Sequence, residues 1–156
     1  MIIPTRDRAD LLELCLQSIW TTTSAARNSG VELEILVVDN GSAEPETDKL
    51  FRQWDQSLKQ SFSVIRCDQP FNWSRLNNLA AAQAKGELLL CLNNDIEAFQ
   101  TGWLEAMISQ ALRDSIGCVG ANLLYSDSTL QHGGVVLGFH SGADHAYRGL
   151  SIDHVV

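Results

Sequence analysis

The sequence has no basic cluster. It carries 11 Lys and Arg against 19 Asp and Glu, a net charge of −8, and the basic residues are scattered. A nucleic-acid backbone is thereby excluded as partner, because phosphates on a duplex or strand require a positive patch. A small anionic ligand is not excluded, since a metal ion or local dipoles can supply the charge. The cysteines are Cys15, Cys67, Cys91 and Cys118, and no two lie close enough for a zinc-type pair. Cys15 and Cys91 sit in apolar patterns and read as small core residues, and a reduced, cytosolic setting is expected. There is no basic-then-apolar leader, and no apolar run approaches the ~18 residues of a membrane span. Glycine is missing where a dinucleotide fold would need it. The segment after the first apolar strand reads "PTRDRAD", with neither G-x-G-x-x-G nor a P-loop. The ends, "MIIPT" and "SIDHVV", read as those of a fragment of a longer protein.

What the sequence does have is alternation of strands and helices. Ile2 and Ile3 form a strand ending at Pro4. Asp10 is placed to cap a helix, with Glu13 at the capping-box position and Leu12, Cys15, Leu16 and Ile19 at helical spacing. That helix should fade through "TTTSAARNSG". Residues 33–39, "LEILVVD", read as a strand buried on both faces. A helix follows over about 46–59, with Leu50, Phe51, Trp54 and Leu58 on one side. "SFSVIRC" reads as a strand nearer an edge. "NWSRLNNLAAAQAKG" reads as a helix carrying Leu76, Leu79 and Ala80 and stopped by Gly86. "ELLLCL" is the most apolar strand. "GWLEAMISQALRD" is a helix with a stripe of Trp103, Leu104, Met107, Ile108, Ala111 and Leu112. "IGCVGANLLY" reads as a fifth strand, and "SDST" as the turn of a hairpin into "LQHGGVVLGF". The order predicts an α/β domain with a mainly parallel sheet flanked by helices. It spans 1–156 as one domain, with an α/β core over 1–120 and a hairpin and loop extension over 121–156.

In open α/β sheets, ligands bind beyond the carboxyl ends of the strands. Those ends carry Pro4, Thr5, Arg6 and Asp7, then Asp39, Asn40, Gly41 and Ser42, then Asn93, Asn94, Asp95 and Glu97. Two aspartates from different strands converge on one rim. Asp95 could hold a hard divalent cation, Mn2+ or Mg2+, which takes one or two carboxylates and leaves other positions to phosphate and water. Asp39 could accept hydrogen bonds from a base or a ribose hydroxyl. Each residue alone has a plainer reading: Asp39 with "NGS" as an Asx turn, Asn93 to Asp95 as a helix cap, Arg6 with Asp7 as a surface pair, and Arg75 as a solvated helix residue. Co-occurrence on one rim favours a site.

"IIPTRDR", "LEILVVDNGS", "FNWSRLNNLAAAQAKGELLLCLNNDIE" and "GWLEAMISQAL", in this order, resemble the family 2 glycosyltransferases of GT-A fold, nearest the bacterial rhamnosyltransferase and O-antigen branches. "GANLLYSDSTLQHGGVVLGFHSGADHAYRG" resembles the next segment of that branch. The resemblance implies inverting transfer of a sugar from a UDP- or dTDP-sugar to a glycan or lipid-linked acceptor, in cell-surface polysaccharide synthesis. By position, Pro4, Thr5 and Arg6 would line the nucleotide pocket, Asp39 would contact base or ribose, and Arg75 and Asn78 would contact the donor. Asn94 and Asp95 fall at the D-x-D-type element, here "NND", so Asp95 would bind the metal. The family's general base lies in a later segment, for which this sequence has no counterpart before Val156; Asp144 and Asp153 are candidates by chemistry only.

Two other readings compete. A metal-dependent nucleotidyltransferase would use similar acidic strand ends but needs a glycine- and basic-rich loop, which "PTRDRAD" lacks. A non-catalytic module would bind a nucleotide-sugar or a protein, and exposed strand edges could make it a homodimer. His132, His140, His145 and His154 lack the spacing of a dedicated zinc site. Of Trp20, Trp54, Trp73 and Trp103, most read as core, and Trp73 is the candidate sugar platform. A cytoplasmic location is expected, peripheral at the inner face of the membrane in the full-length protein.

Overall fold

Apolar strand residues that point to both faces of a sheet need cover on both, and the first part of the chain supplies it with helices. The computed structural model describes residues 1–138 and 142–154. Strands β1 (Ile2–Thr5), β2 (Ile35–Asp39) and β3 (Phe62–Arg66) form a parallel sheet in the order β1-β2-β3. Ile3 faces Val37, and Val37 faces Val64. Successive side chains point to opposite faces. Ile3, Ile35 and Val37 pack with Leu12, Cys15, Leu16 and Ile19 of α1 (Ala9–Thr22). After α2 (Ser24–Asn28), helix α3 (Pro45–Leu58) adds Leu50, Phe51 and Trp54 to that cluster. Ile2, Leu36 and Val38 turn the other way, onto Leu76 and Ala80 of α4 (Trp73–Ala81). The α/β architecture expected from the sequence is therefore present, and β3 lies at the sheet edge as read.

Several details differ. Helix α1 begins without a capping box: its cap is Arg8, left-handed at φ 53, with no side-chain cap bond. Asp10 lies in the first turn and binds the Arg8 guanidinium, while Glu13 accepts from Gln17. The helix does not simply fade. Thr22 and Thr23 return their hydroxyls to Ser18 and Ile19 carbonyls, and the chain re-enters helix as α2. Such back-bonding satisfies β-branched residues in helical backbone. Helix α4 closes at Ala81, before Lys85, and Gly86 has no left-handed conformation. The amides of Gln83 and Ala84 both donate to the Ala80 carbonyl, which ends the helix in a tight turn.

The fourth strand, "ELLLCL", is reduced to one bridge, Ile2 to Cys91. The Ile2 amide donates to the Leu90 carbonyl, and the Leu92 amide donates to the Ile2 carbonyl. The next donor in this parallel ladder would be residue 4, and it is proline, which has no N–H. Leu88 and Leu89 are exposed, and so is Cys91, which is therefore no core residue.

The chain divides into two compact units, Met1–Glu105 and Ala106–Val156. Helix α5 (Trp103–Ala111) begins in the first. Of its expected stripe, only Leu104 is buried, and Leu112 is exposed. In the second unit, β4 (Leu123–Leu124) pairs antiparallel with β5 (Leu130–His132) across the "SDST" turn, giving the expected hairpin. A second hairpin joins β6 (Val135–Leu137) to β7 (Ala143–His145). The fifth strand expected over 116–125 survives only as β4, because Gly117 and Gly120 interrupt an exposed stretch. No helix of the described residues is long and apolar enough to cross a membrane.

Candidate functional site

The turn after β1 solves a problem posed by its lack of glycine. Asp7 and Arg8 are both left-handed, at φ 52 and 53. Such backbone is uncommon outside glycine and needs support. Asp7 supplies it. Its carboxylate accepts from the Ala43 and Glu44 amides at 2.7 and 2.9 Å, and its own amide donates to Ser42 Oγ at 2.7 Å. The Asn40 amide donates to the Thr5 carbonyl at 2.8 Å. The loops after β1 and β2 are thereby fastened together. The Glu44 and Ala43 amides hold the Asp7 carboxyl below its ordinary 3.8. So Asp7 is first a clamp across two loops, and the charge of Arg6 is a lesser influence on it.

Asp39 ends β2 and is buried, its side chain 3% exposed. The Ser42 amide donates to Oδ1 at 2.9 Å, which is the Asx-like turn that its sequence allows. The Arg66 guanidinium takes Oδ2 and also reaches Asp68 and the Ser42 carbonyl. Asn40 is buried as well, and its Nδ2 donates to the Cys67 and Gln69 carbonyls, both at 2.8 Å. Two carbonyl acceptors fix which end of that amide is nitrogen.

The third strand end arrives through a side chain. Asn94 Nδ2 donates to Thr5 Oγ1 at 3.0 Å, drawing the "NND" turn to the end of β1. Beneath it, the buried Cys15 thiol lies 3.6 Å from the Asn93 carbonyl. Burial first, then the Asp95 charge, pushes that thiol up to about 12. Pro4, Thr5, Arg6, Asn40, Phe71 and Asn94 line a cavity of about 230 Å3. A larger cavity of about 390 Å3 lies between the N-terminal parts of α1 and α3, but Asp10, Glu13 and Glu46 line it against a single cation, Lys49, which disfavours an anion.

Of the residues expected at the donor site, Pro4, Thr5, Arg6 and Asn94 share this cavity. Asp39 is adjacent in sequence to Asn40 but covered by Arg66. Arg75 and Asn78 are exposed on α4, and neither lines the cavity. Trp73, the expected platform, does not line it either, whereas Phe71 does. Phe71 is a lone aromatic in a loop, and such a residue carries no periodic signal in the sequence. Asp95 is exposed next to Asn94. No group of three or more His, Cys, Asp or Glu among the described residues converges as a metal cage. A single exposed carboxylate at a strand end suits a hard cation that brings phosphate and water oxygens as its other ligands. In the second unit, His132 Nδ1 and His145 Nδ1 are 2.8 Å apart, a pair linking the two hairpins. Asp144 lies in β7, Asp153 accepts weakly from Ser151, and His140 falls outside the described residues.

The glycosyl transferase family 2 model matches residues 1–145. The chain belongs to that family. It is 42% identical over 147 residues to the O-antigen biosynthesis protein RfbC of Myxococcus xanthus, covering 94% of this chain and 11% of that protein. It is 41% identical over 147 residues to the uncharacterized protein y4gI of Sinorhizobium fredii, covering 94% of this chain and 16% of that one. The chain thus spans only a small part of either relative. Among solved structures it is similar to the mannosyltransferase PcManGT of Pyrobaculum calidifontis, a complex with GDP-Man and Mn2+. The TM-score is 0.64 at 22% identity, over 77% of this chain and 34% of that one. This likeness establishes the GT-A fold.

Proposed function

We propose that this family 2 domain binds a nucleotide-diphosphate sugar and transfers the sugar to an acceptor hydroxyl with inversion, in synthesis of a cell-surface polysaccharide. The O-antigen relative supports the pathway class, and a neighbour bound to GDP-Man and Mn2+ supports the donor class and the metal. The observation that carries the reading is the Thr5–Asn94 bond beside Arg6: it gathers the ends of two sheet segments around one cavity, at the edge where α/β folds take ligands.

In this reading Arg6, exposed on the cavity wall, faces the phosphates. Thr5 and Asn94 hold the turn that presents Asp95. Asp95 would bind Mn2+ or Mg2+, which neutralises the diphosphate and stabilises it as it leaves. Pro4 supplies an apolar wall. Arg75 and Asn78, exposed on α4 and outside the cavity lining, would contact the donor beyond it. As the side chains stand, Asp39 anchors the 39–42 turn, and contact from it to base or ribose requires Arg66 to swing away. Inversion also needs a base to take the acceptor proton. We assign that base to a segment C-terminal to the matched region, so the chain alone binds donor and turns over slowly or not at all. The acceptor is a glycan or a lipid-linked saccharide, used at the inner face of the membrane.

Thermal-shift measurements with UDP, dTDP and GDP sugars, with and without Mn2+, test this. A stabilisation of several degrees that requires Mn2+ is expected for one nucleotide, and Asp95→Ala should abolish its metal dependence. No metal-dependent shift with any donor would remove Asp95 from the proposed role.

A further inference from the structure

Phe71 is 69% exposed, and exposure alone is ordinary for an apolar side chain; what sets this ring apart is the held loop that carries it and the cavity it lines. The loop is fastened on one side by Asn40 Nδ2, bonded to the Cys67 and Gln69 carbonyls. On the other side Asn72 caps α4, its Oδ1 accepting from the Arg75 amide at 2.9 Å. A ring held out from a pinned loop cannot retreat into the core by local relaxation. It does not stand alone on the surface either. Phe71 lines the same cavity as Pro4, Arg6 and Leu11. Phe99 is more exposed, at 74%, and does not line this cavity. The cavity of about 230 Å3 is below the ~300–1,000 Å3 typical of sites that enclose a whole drug-sized ligand, and its size suits one ring system. Its wall offers an apolar and aromatic surface next to a guanidinium, which matches a planar heteroaromatic ring attached to an anionic chain.

We propose that Phe71 is the stacking face for the nucleobase of the donor, with Arg6 on the same wall toward the diphosphate. The proposal rests on the donor-binding function above and adds a residue to it. Stacking is indifferent to which base is presented, because every base has a π-face. Phe71 therefore supplies affinity for any nucleoside diphosphate and does not choose among them.

The test is calorimetric titration of UDP, dTDP, GDP and inorganic pyrophosphate, each with saturating Mn2+. The proteins are the wild type, Phe71→Ala, Phe71→Leu, Phe71→Tyr and the control Phe99→Ala. Phe71→Ala is expected to weaken nucleoside diphosphates by between about fivefold and a hundredfold, the range of a lost base–aromatic stack. Phe71→Leu should fall between, Phe71→Tyr should restore wild-type binding, and Phe99→Ala should change nothing. Pyrophosphate, which has no base, should bind all five proteins alike. Nucleoside diphosphate binding unchanged in Phe71→Ala and Phe71→Leu would overturn the proposal. So would an equal loss of pyrophosphate, which would mean that the ring merely supports the loop. A wild type that binds no nucleoside diphosphate would instead overturn the donor-binding function itself, and the stacking role with it.

Discussion

At the residue scale, the site is organised by polar side chains that bind backbone. Asp7 is the clearest case. One carboxylate oxygen takes two amides just before α3, where the helix N-terminus also favours negative charge. The pKa is lowered, so the carboxylate is worth more to the folded state than to the unfolded one. Its contribution is present above the ordinary value of 3.8 and is lost as pH falls through the lower folded value. Asp7→Asn keeps an acceptor without the charge. It should therefore lower the urea midpoint at neutral pH, with the difference from wild type closing below that pH window. Asp7→Ala should lower it further and should also weaken donor binding, because Arg6 and Asn40 sit on the two loops that Asp7 joins. A pH-independent difference between wild type and Asp7→Asn would show that the charge contributes nothing.

At the scale of elements, legibility followed locality. Strand β2 and helix α3 were readable because their patterns are set by their own residues: a β-branched run and a four-residue apolar face. So was the hairpin at "SDST", since turn chemistry is local. "ELLLCL" departs from its strand-like pattern because its fate depends on a residue more than 80 positions away. Its composition is that of a buried strand, but a strand needs a ladder, and Pro4 interrupts the only one that the described residues provide. This can be tested directly. Pro4→Val would supply an N–H opposite the Leu92 carbonyl, the next acceptor in register after the Ile2–Leu90 bond. We expect the new amide at residue 4 to be protected from exchange and the Leu92 amide to exchange more slowly than in wild type, with the parallel ladder extended by one step. Net stability should rise by at most about 1 kcal/mol, since a hydrogen bond nets about 0.5–1.5 kcal/mol and the flexible unfolded valine offsets part of it. Exchange unchanged at residue 92 would mean that something other than proline keeps this segment out of the sheet. The candidate site shows the same division. Thr5, Arg6 and Asn94 could be placed from strand ends alone, whereas the cover of Arg66 over Asp39 and the exposure of Phe71 depend on the path of the loop after β3.

At the scale of the whole molecule, the charge balance constrains how a diphosphate can bind. The chain carries −8, and the proposed nucleotide-diphosphate donor would add negative charge of its own. Around the cavity, Arg8 is committed to Asp10 and Arg66 to Asp39 and Asp68, so their fields are largely cancelled. Arg6 is left as the cavity's main uncommitted cation, and it is exposed to screening by salt. One exposed guanidinium supplies little net attraction, and a divalent ion at Asp95 would have to supply the rest. Binding of a nucleoside diphosphate should therefore fall by more than about tenfold when Mn2+ is replaced by EDTA, a difference of about 1.4 kcal/mol. The residual metal-free binding should weaken steeply with added salt and be lost in Arg6→Gln. With Mn2+ present, Arg6→Gln should bind more weakly than wild type but still measurably, because the cation carries the larger share. Affinity that is equal in Mn2+ and EDTA would show that the protein neutralises the diphosphate by itself, and would point to Arg66 leaving Asp39 to do so.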